Sequence, residues 1–413
     1  MLAPDELLHI SEGAEEIAEA LHQDILDRII KRIMRRIGRG DSYILTAQDK
    51  WQIEVLQDAG LLMADIQEEI AKATGLMRAE IAEAMEDAGV RSVDYDNRIY
   101  EAAGLSTAPL DQSPGLIRIA QRNYEATMGE LENFTRTIGQ HAAQSYVTAC
   151  DRAYNLVMSG AISYSQAVKE ALSEMVNDGL VVEYATRTDT IETATMRAVR
   201  TGISQASAQI TDARMEEMDW DIVLTSAHIG ARPGNGGPNG TNHIWWQGRF
   251  FSRTGKSKQF PPFKESTGYG TVTGLCGANC RHSFSPGDGV HNPWDEKSLN
   301  FADQRKAYEI QQRQRALENR IRKTKRSVMS AKSVRDNATD DTVMAEWERE
   351  YQRKSALLAR QNAAYNQFCE SNNLRKRSDR IAIAKWDRTQ AAKARAAAKK
   401  WQDAHQKQER KET

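Results

Sequence analysis

Cysteine is scarce: Cys150, Cys276, Cys280 and Cys369 are the only four in 413 residues, and two of them lie outside any cluster. That excludes a disulfide framework and points to a reducing compartment. No stretch approaches the roughly 20 apolar residues that cross a bilayer, so no membrane partner is expected. The opening residues MLAPDELLHISEGAEE are acidic where a secretory leader is basic and then apolar, so the chain is expected to be made and used in solution. Net charge is scarce as well. With 56 Lys and Arg against 57 Asp and Glu, the molecule as a whole looks indifferent to polyanions.

The average hides a polarity. Residues 301–413 carry 28 basic and 15 acidic side chains, which leaves 28 and 42 in residues 1–300. An acidic front and a basic back are therefore expected in one chain. At this length, and with 40% hydrophobic residues, two or three cores can be buried, so a single minimal module is excluded.

Apolar residues recur at helical spacing from the start. Ile17, Leu21, Ile25, Ile29, Ile33 and Ile37 form one stripe, followed by Trp51, Val55 and Leu62, and the pattern predicts short amphipathic helices up to about Gly89. Gly38 and Gly40 would stop the first, and Thr46 with Asp49 resembles a capping box opening the next. The Ser-, Thr- and Pro-containing residues 105–114 read as a hinge. Ser113 and Pro114 then open a long helix reaching about Met158, with further helices from Ser163 to Gly179 and from about Thr190 to Met218.

Composition changes abruptly after that, because residues 228–291 hold 13 of the 26 glycines and five of the nine prolines. Trp220 to Ser226 and Arg249 to Ser252 are the candidate strands of a small, loop-rich core. Beyond Trp294 the chain turns helical again, over about 301–331, 341–369 and 381–407. Apolar positions there are sparse, so these helices pair as in a coiled coil or lie on a partner. The fold class expected is mainly α with a small α+β core, in four regions: 1–110 acidic and helical, 111–219 long-helix, 220–300 Gly-rich α+β, and 301–413 basic and helical.

The chemistry-bearing residues concentrate in the Gly-rich region: His228, His243, Cys276, Cys280, His282 and His291. Three readings stay open. Cys276, Cys280, His282 and His228 are candidate ligands of a borderline cation such as zinc, since thiolates and imidazoles at short spacing suit it. Alternatively the cysteines are small buried hydrophobes and the histidines bond loop carbonyls. In the third, His243 and His282 form an acid-base pair with Arg232 or Arg281 stabilising an anion, as in phosphodiester cleavage. Gly268, Gly270, Gly274 and Gly277 do not make a phosphate loop, because no Lys-Ser/Thr follows. The basic runs Arg320, Arg322, Lys323, Lys325, Arg326 and Arg375, Lys376, Arg377, Arg380 lack interleaved aromatics. Any contact they make with DNA would be sequence-indifferent and salt-sensitive.

Taken in order, the central motifs resemble the tailed-phage minor capsid protein 2 family. They run through Ser226-Ala-His228-Ile-Gly230-Ala-Arg232-Pro233, His243-Ile-Trp-Trp246-Gln247-Gly248 and Ser266-Thr-Gly268-Tyr269-Gly270, and close with Gly274-Leu-Cys276-Gly277-Ala-Asn279-Cys280-Arg281-His282-Ser283-Phe284. A more distant similarity is to the Mu F-like head morphogenesis proteins. The resemblance covers most of residues 110–380. Residues 234–242 look like an insertion, and the chain after Ile381 has no counterpart. What the resemblance implies is a structural virion component, assembled in the host cytoplasm at the portal vertex or head interior, with no established catalysis. Its implied partners are portal protein, major capsid protein, other copies of itself and packaged double-stranded DNA.

Overall fold

The computed structural model describes residues 1–38, 48–160, 162–184, 187–294 and 300–412. Helices dominate, and three short pairings of strands supply the rest, so the fold is mainly α with a small α+β core. In chain order the helices are α1 (Pro4–His9), α2 (Glu12–Ile37), α3 (Gln48–Ala102), α4 (Pro114–Ser159), α5 (Tyr164–Asp178), α6 (Ile191–Glu217), α7 (His243–Trp246), α8 (Phe263–Thr267), α9 (Phe301–Asn337), α10 (Asp341–Ser371) and α11 (Arg388–Glu412). The strands are β1 (Val181–Tyr184), β2 (Arg187–Thr190), β3 (Ile222–Thr225), β4 (Phe250–Ser252) and β5 (Phe284–Pro286).

Several punctuation residues act as their chemistry predicts. Gly160 and Gly179 take φ of +64° and +70° just past α4 and α5, where a side chain would be strained. Ser163 Oγ accepts the Gln166 N–H at 3.3 Å to cap α5, and the Asp340 carboxylate accepts from Thr342 and Val343 to cap α10. Ser113 behaves differently, since its hydroxyl donates to the Pro109 carbonyl at 2.9 Å instead of capping α4. Gly40 and Thr46 lie outside the described residues.

Three elements differ from the sequence reading. The short helices expected between residues 48 and 89 are one 55-residue helix, α3. Gly60 and Gly75 sit on it with open space around them, and a lone glycine costs a helix only about 1 kcal/mol, too little to end it. Between α5 and α6, where only helix was expected, β1 and β2 form an antiparallel pair with Val181 opposite Thr190. The last helix also starts later than expected, at Arg388, after a single 3₁₀ turn at Asp379–Ile381.

The chain divides into two compact units, each assembled from three separate stretches: residues 1–15, 74–132 and 193–313 in one, and 16–73, 133–192 and 314–413 in the other. In the first, β3 is the middle strand of a three-stranded antiparallel sheet, with Val223 opposite both Phe251 of β4 and Pro286 of β5. Trp246, Phe251, Phe263, Phe284, Leu275, Met215 and Tyr100 pack against it as one buried cluster. Each such aromatic buries on the order of 150–250 Å², which is what holds so glycine-rich a segment together.

In the second unit Ile25, Ile29, Ile33 and Ile37 are fully buried along α2, as the stripe required. Trp51 stacks on Tyr154 at 5.2 Å, and Arg36 reaches Glu54 and Asp58. The polar α10 packs against α11 and α5, so these helices pair as their narrow seams suggested. At the unit's centre Arg326 Nη1 lies 2.9 Å from Glu19 and 2.8 Å from Glu192, and His22 Nδ1 lies 3.0 Å from Glu192.

Candidate functional site

The central motifs converge because their backbones are tied to one another strand by loop. Leaving β3, Ser226 accepts the Gly248 N–H and donates its own N–H to Ser283, whose N–H returns to Ser226 Oγ. Thr225 Oγ1 donates to the Trp246 carbonyl at 2.9 Å. These contacts lock three segments that are remote in sequence. Residues 234–242, which look inserted, are part of the same lattice. Asn242 caps α7, the Trp246 indole donates to the Gly240 carbonyl at 3.0 Å, and the His243 N–H donates to the Arg232 carbonyl at 2.8 Å.

Glycine is required where backbones touch. A Cβ at Gly274 would meet the Gly268 carbonyl oxygen at 2.0 Å, and one at Gly240 would meet Gly268 at 2.7 Å. Gly268 itself ends α8 at φ +65°, and Gly230, Gly248 and Gly270 also take positive φ. Gly230 donates its N–H to Gln304 Oε1 at 2.7 Å, and the Pro233 carbonyl accepts from Gly236. Tyr269 packs on Phe263 and Phe284 at 5.3 and 5.2 Å. Asn279 and Cys276 adopt φ of +58° and +57°, an uncommon conformation that turns the cysteine loop back on itself.

Within this frame His243, Cys280 and His282 come together. Their side chains are buried, and one ligand atom from each lies within 4.8 Å of the others. Cys280 Sγ is 3.7 Å from His243 Nδ1 and 3.6 Å from His282 Nδ1. The hydrogen-bond partners fix the His282 tautomer. Gln247 Oε1 accepts the His228 backbone N–H at 3.1 Å, so it is an oxygen, and His282 Nε2, 3.0 Å from it, must carry the proton. His243 Nε2 faces both the Thr273 carbonyl, an acceptor at 2.9 Å, and Arg232 Nη2, a donor at 3.0 Å that also reaches Thr273 at 3.2 Å. Both Nδ1 atoms face one sulfur.

Electrostatics agree with neutral rings. Burial, with Arg232 adding to it, pushes His243 down to about 3. Burial, with His228, His243 and the two arginines adding to it, takes His282 well below the ordinary imidazole value. Burial raises the Cys280 thiol, opposed by backbone N–H groups and by Arg232 and Arg281.

The four ligands read from the sequence do not assemble as a set. Cys280 and His282 meet His243 instead. Cys276 lies outside the group among the described residues: its thiol donates to the His282 carbonyl at 3.5 Å, and burial raises it well above its ordinary value. His228 stacks on the face of His282 at 4.3 Å, and its Nδ1 lies 3.1 Å from both Arg281 Nη2 and the Ile229 carbonyl. His291 is exposed and pairs with Asp288. His243 is 37 residues from Cys280, and the lattice that pins α7 brings it there.

The basic runs also divide. Arg326 is buried between two carboxylates, and Lys325 is buried beneath Trp386 with its ammonium donating to the Ile381 carbonyl, so neither is available to a polyanion. Arg322 bonds Asn319, Arg377 bonds Asp379 and Arg380 lies 3.8 Å from Glu318. Arg320, Lys323, Arg375 and Lys376 are exposed, with Lys323 and Lys376 in surface pairs to Asp178 and Glu370.

A family model described as phage minor capsid protein 2 matches residues 2–368. No curated protein and no solved structure matches. The match takes in α1 to α3, which the central motifs alone did not reach, and stops short of Arg375, Lys376, Arg377 and Arg380.

Proposed function

Because the chain belongs to the phage minor capsid protein 2 family, we propose that it is a structural part of a tailed-phage head, placed at the portal vertex or head interior during assembly. The match over residues 2–368 carries this reading, and the core motifs support it. His243, Cys280 and His282 are 2%, 3% and 1% exposed, packed beneath Trp246, where a substrate would have to displace the core to reach them. Motif residues spent on mutual backbone contacts suit a rigid joint better than a reaction chamber.

The contacts would be with portal protein, major capsid protein and further copies of the chain. Within the two basic runs, Arg320, Lys323, Arg375 and Lys376 are the exposed positions and would be available to packaged DNA or to an acidic protein surface. No helix among the described residues is long and apolar enough to cross a membrane. Quantitative mass spectrometry of density-banded particles tests the reading. The chain is expected in virions well below the major capsid protein in copy number, and deleting its gene should leave defective heads. Absence from purified particles would overturn the proposal. Turnover of a nucleic acid or peptide that His282→Ala abolishes, with particles intact, would replace it with a hydrolase. Reversing the four exposed basic charges should weaken incorporation or DNA retention; unchanged retention at raised salt would remove that part of the reading.

A further inference from the structure

We propose that His243 Nδ1, His282 Nδ1 and Cys280 Sγ bind a zinc-like divalent cation that ties α7 to the cysteine loop. Three observations carry this, and none depends on where the protein sits in a particle. The first is convergence. Three buried ligand atoms of the right kind, two imidazole nitrogens and one sulfur, lie within 4.8 Å of one another. A cation satisfies all three atoms together.

The second is spacing. Zn–N of roughly 2.05 Å and Zn–S of roughly 2.3 Å at a tetrahedral angle separate nitrogen from sulfur by about 3.6 Å. The observed separations are 3.7 and 3.6 Å. The third is the outer shell. Imidazoles that bind metal usually donate their other N–H to a carbonyl or carboxylate, which fixes ring and tautomer. Here Thr273 O and Gln247 Oε1 take those protons, and the His282 backbone N–H points at Cys280 Sγ from 3.4 Å, a bond that favours the thiolate. Cation binding displaces the Cys280 proton to solvent. The stretch 222–291, with 13 glycines and three short strands, is the kind of structure that gains most from such a tie.

The test is cobalt titration of the purified full-length chain after dialysis against a chelator, with zinc content measured on the untreated protein. Expected are about one metal per chain and a thiolate-to-cobalt charge-transfer band. Cys280→Ser should abolish the band, and His243→Gln and His282→Gln should weaken cobalt binding about tenfold or more. His228→Gln and Cys276→Ser should keep it. Wild-type protein with native near-ultraviolet circular dichroism that takes up neither cobalt nor zinc would overturn the proposal, as would a band that survives Cys280→Ser. The wild-type measurement decides even if a variant fails to fold.

Discussion

Replacing Arg326 by methionine separates surface charge from internal charge in the basic third of the chain. The guanidinium lies between Glu19 and Glu192, with side-chain exposures of 7%, 8% and 1%. His22 ties into the group as well: the Leu180 N–H donates to its Nε2 at 3.0 Å, and its Nδ1 lies 3.0 Å from Glu192. Methionine fills similar volume but leaves two buried carboxylates together, with His22 and the Arg322 charge as the remaining help. Removing one partner of a buried pair costs about 3–5 kcal/mol, or about 6–20 °C in Tm for a unit of this size. Arg320→Ala, at an exposed position, should cost less than about 0.5 kcal/mol.

The pH dependence gives an independent sign. Burial pushes the Glu192 carboxyl up, but the Arg326 charge and the His22 N–H outweigh it and hold the group well below its ordinary value. Its stabilisation is therefore present above the unfolded carboxylate value and lost as pH falls below it. Burial and the neighbouring Glu192 charge already push Glu19 up. Without Arg326 both carboxyls rise, the variant takes up a proton that the wild type does not, and the stability gap should narrow from pH 7 to pH 5. Glu19→Gln in the variant background should recover about 1–3 kcal/mol. Urea unfolding and calorimetry at both pH values measure all of this. An Arg326→Met protein within about 1 kcal/mol of wild type, with a gap independent of pH, would refute the argument.

Two further outcomes are expected. Gly60→Ala and Gly75→Ala, each with open space at the added methyl, should each stabilise by about 0.5–1 kcal/mol, whereas Gly274→Ala should destabilise by about 3 kcal/mol because backbone cannot retreat from backbone; thermal melts rank them. Burial holds the Lys325 ammonium down at about 8, so between pH 8 and about 10.5 the folded chain has lost a proton that the unfolded chain keeps. Stability should rise across that window, and Lys325→Met should flatten the rise in urea midpoints.

Where the fold was legible, it was through period and punctuation. The stripe from Ile25 to Ile37 and the stops at Gly160 and Gly179 stand where their physics puts them. The pair β1–β2 escaped because four-residue strands between two helices show too little alternation to register. In the site, the short Cys276, Cys280, His282 spacing was visible, but spacing says nothing of direction, and the left-handed turn at Cys276 sends its thiol to the His282 carbonyl. His243 was paired with His282 as an acid-base candidate from the sequence, and the tertiary lattice is what sets it against Cys280. Lys325 was readable in principle: it lies four residues after Ile321 and three before Val328, on the same helix face as those buried residues. A run of like charges masked that address.

The interleaving of chain segments has a temporal side. Glu19 and its guanidinium partner are 307 residues apart, so at roughly 5–20 residues per second the carboxylate leaves the ribosome about 15–60 s before its counter-ion does. Nascent α2 must wait with that acid group in water, and any interruption of translation before Arg326 leaves a fragment without the cation its interior requires. Residues 314–413 thus complete, late in synthesis, a unit whose first stretch begins within α2.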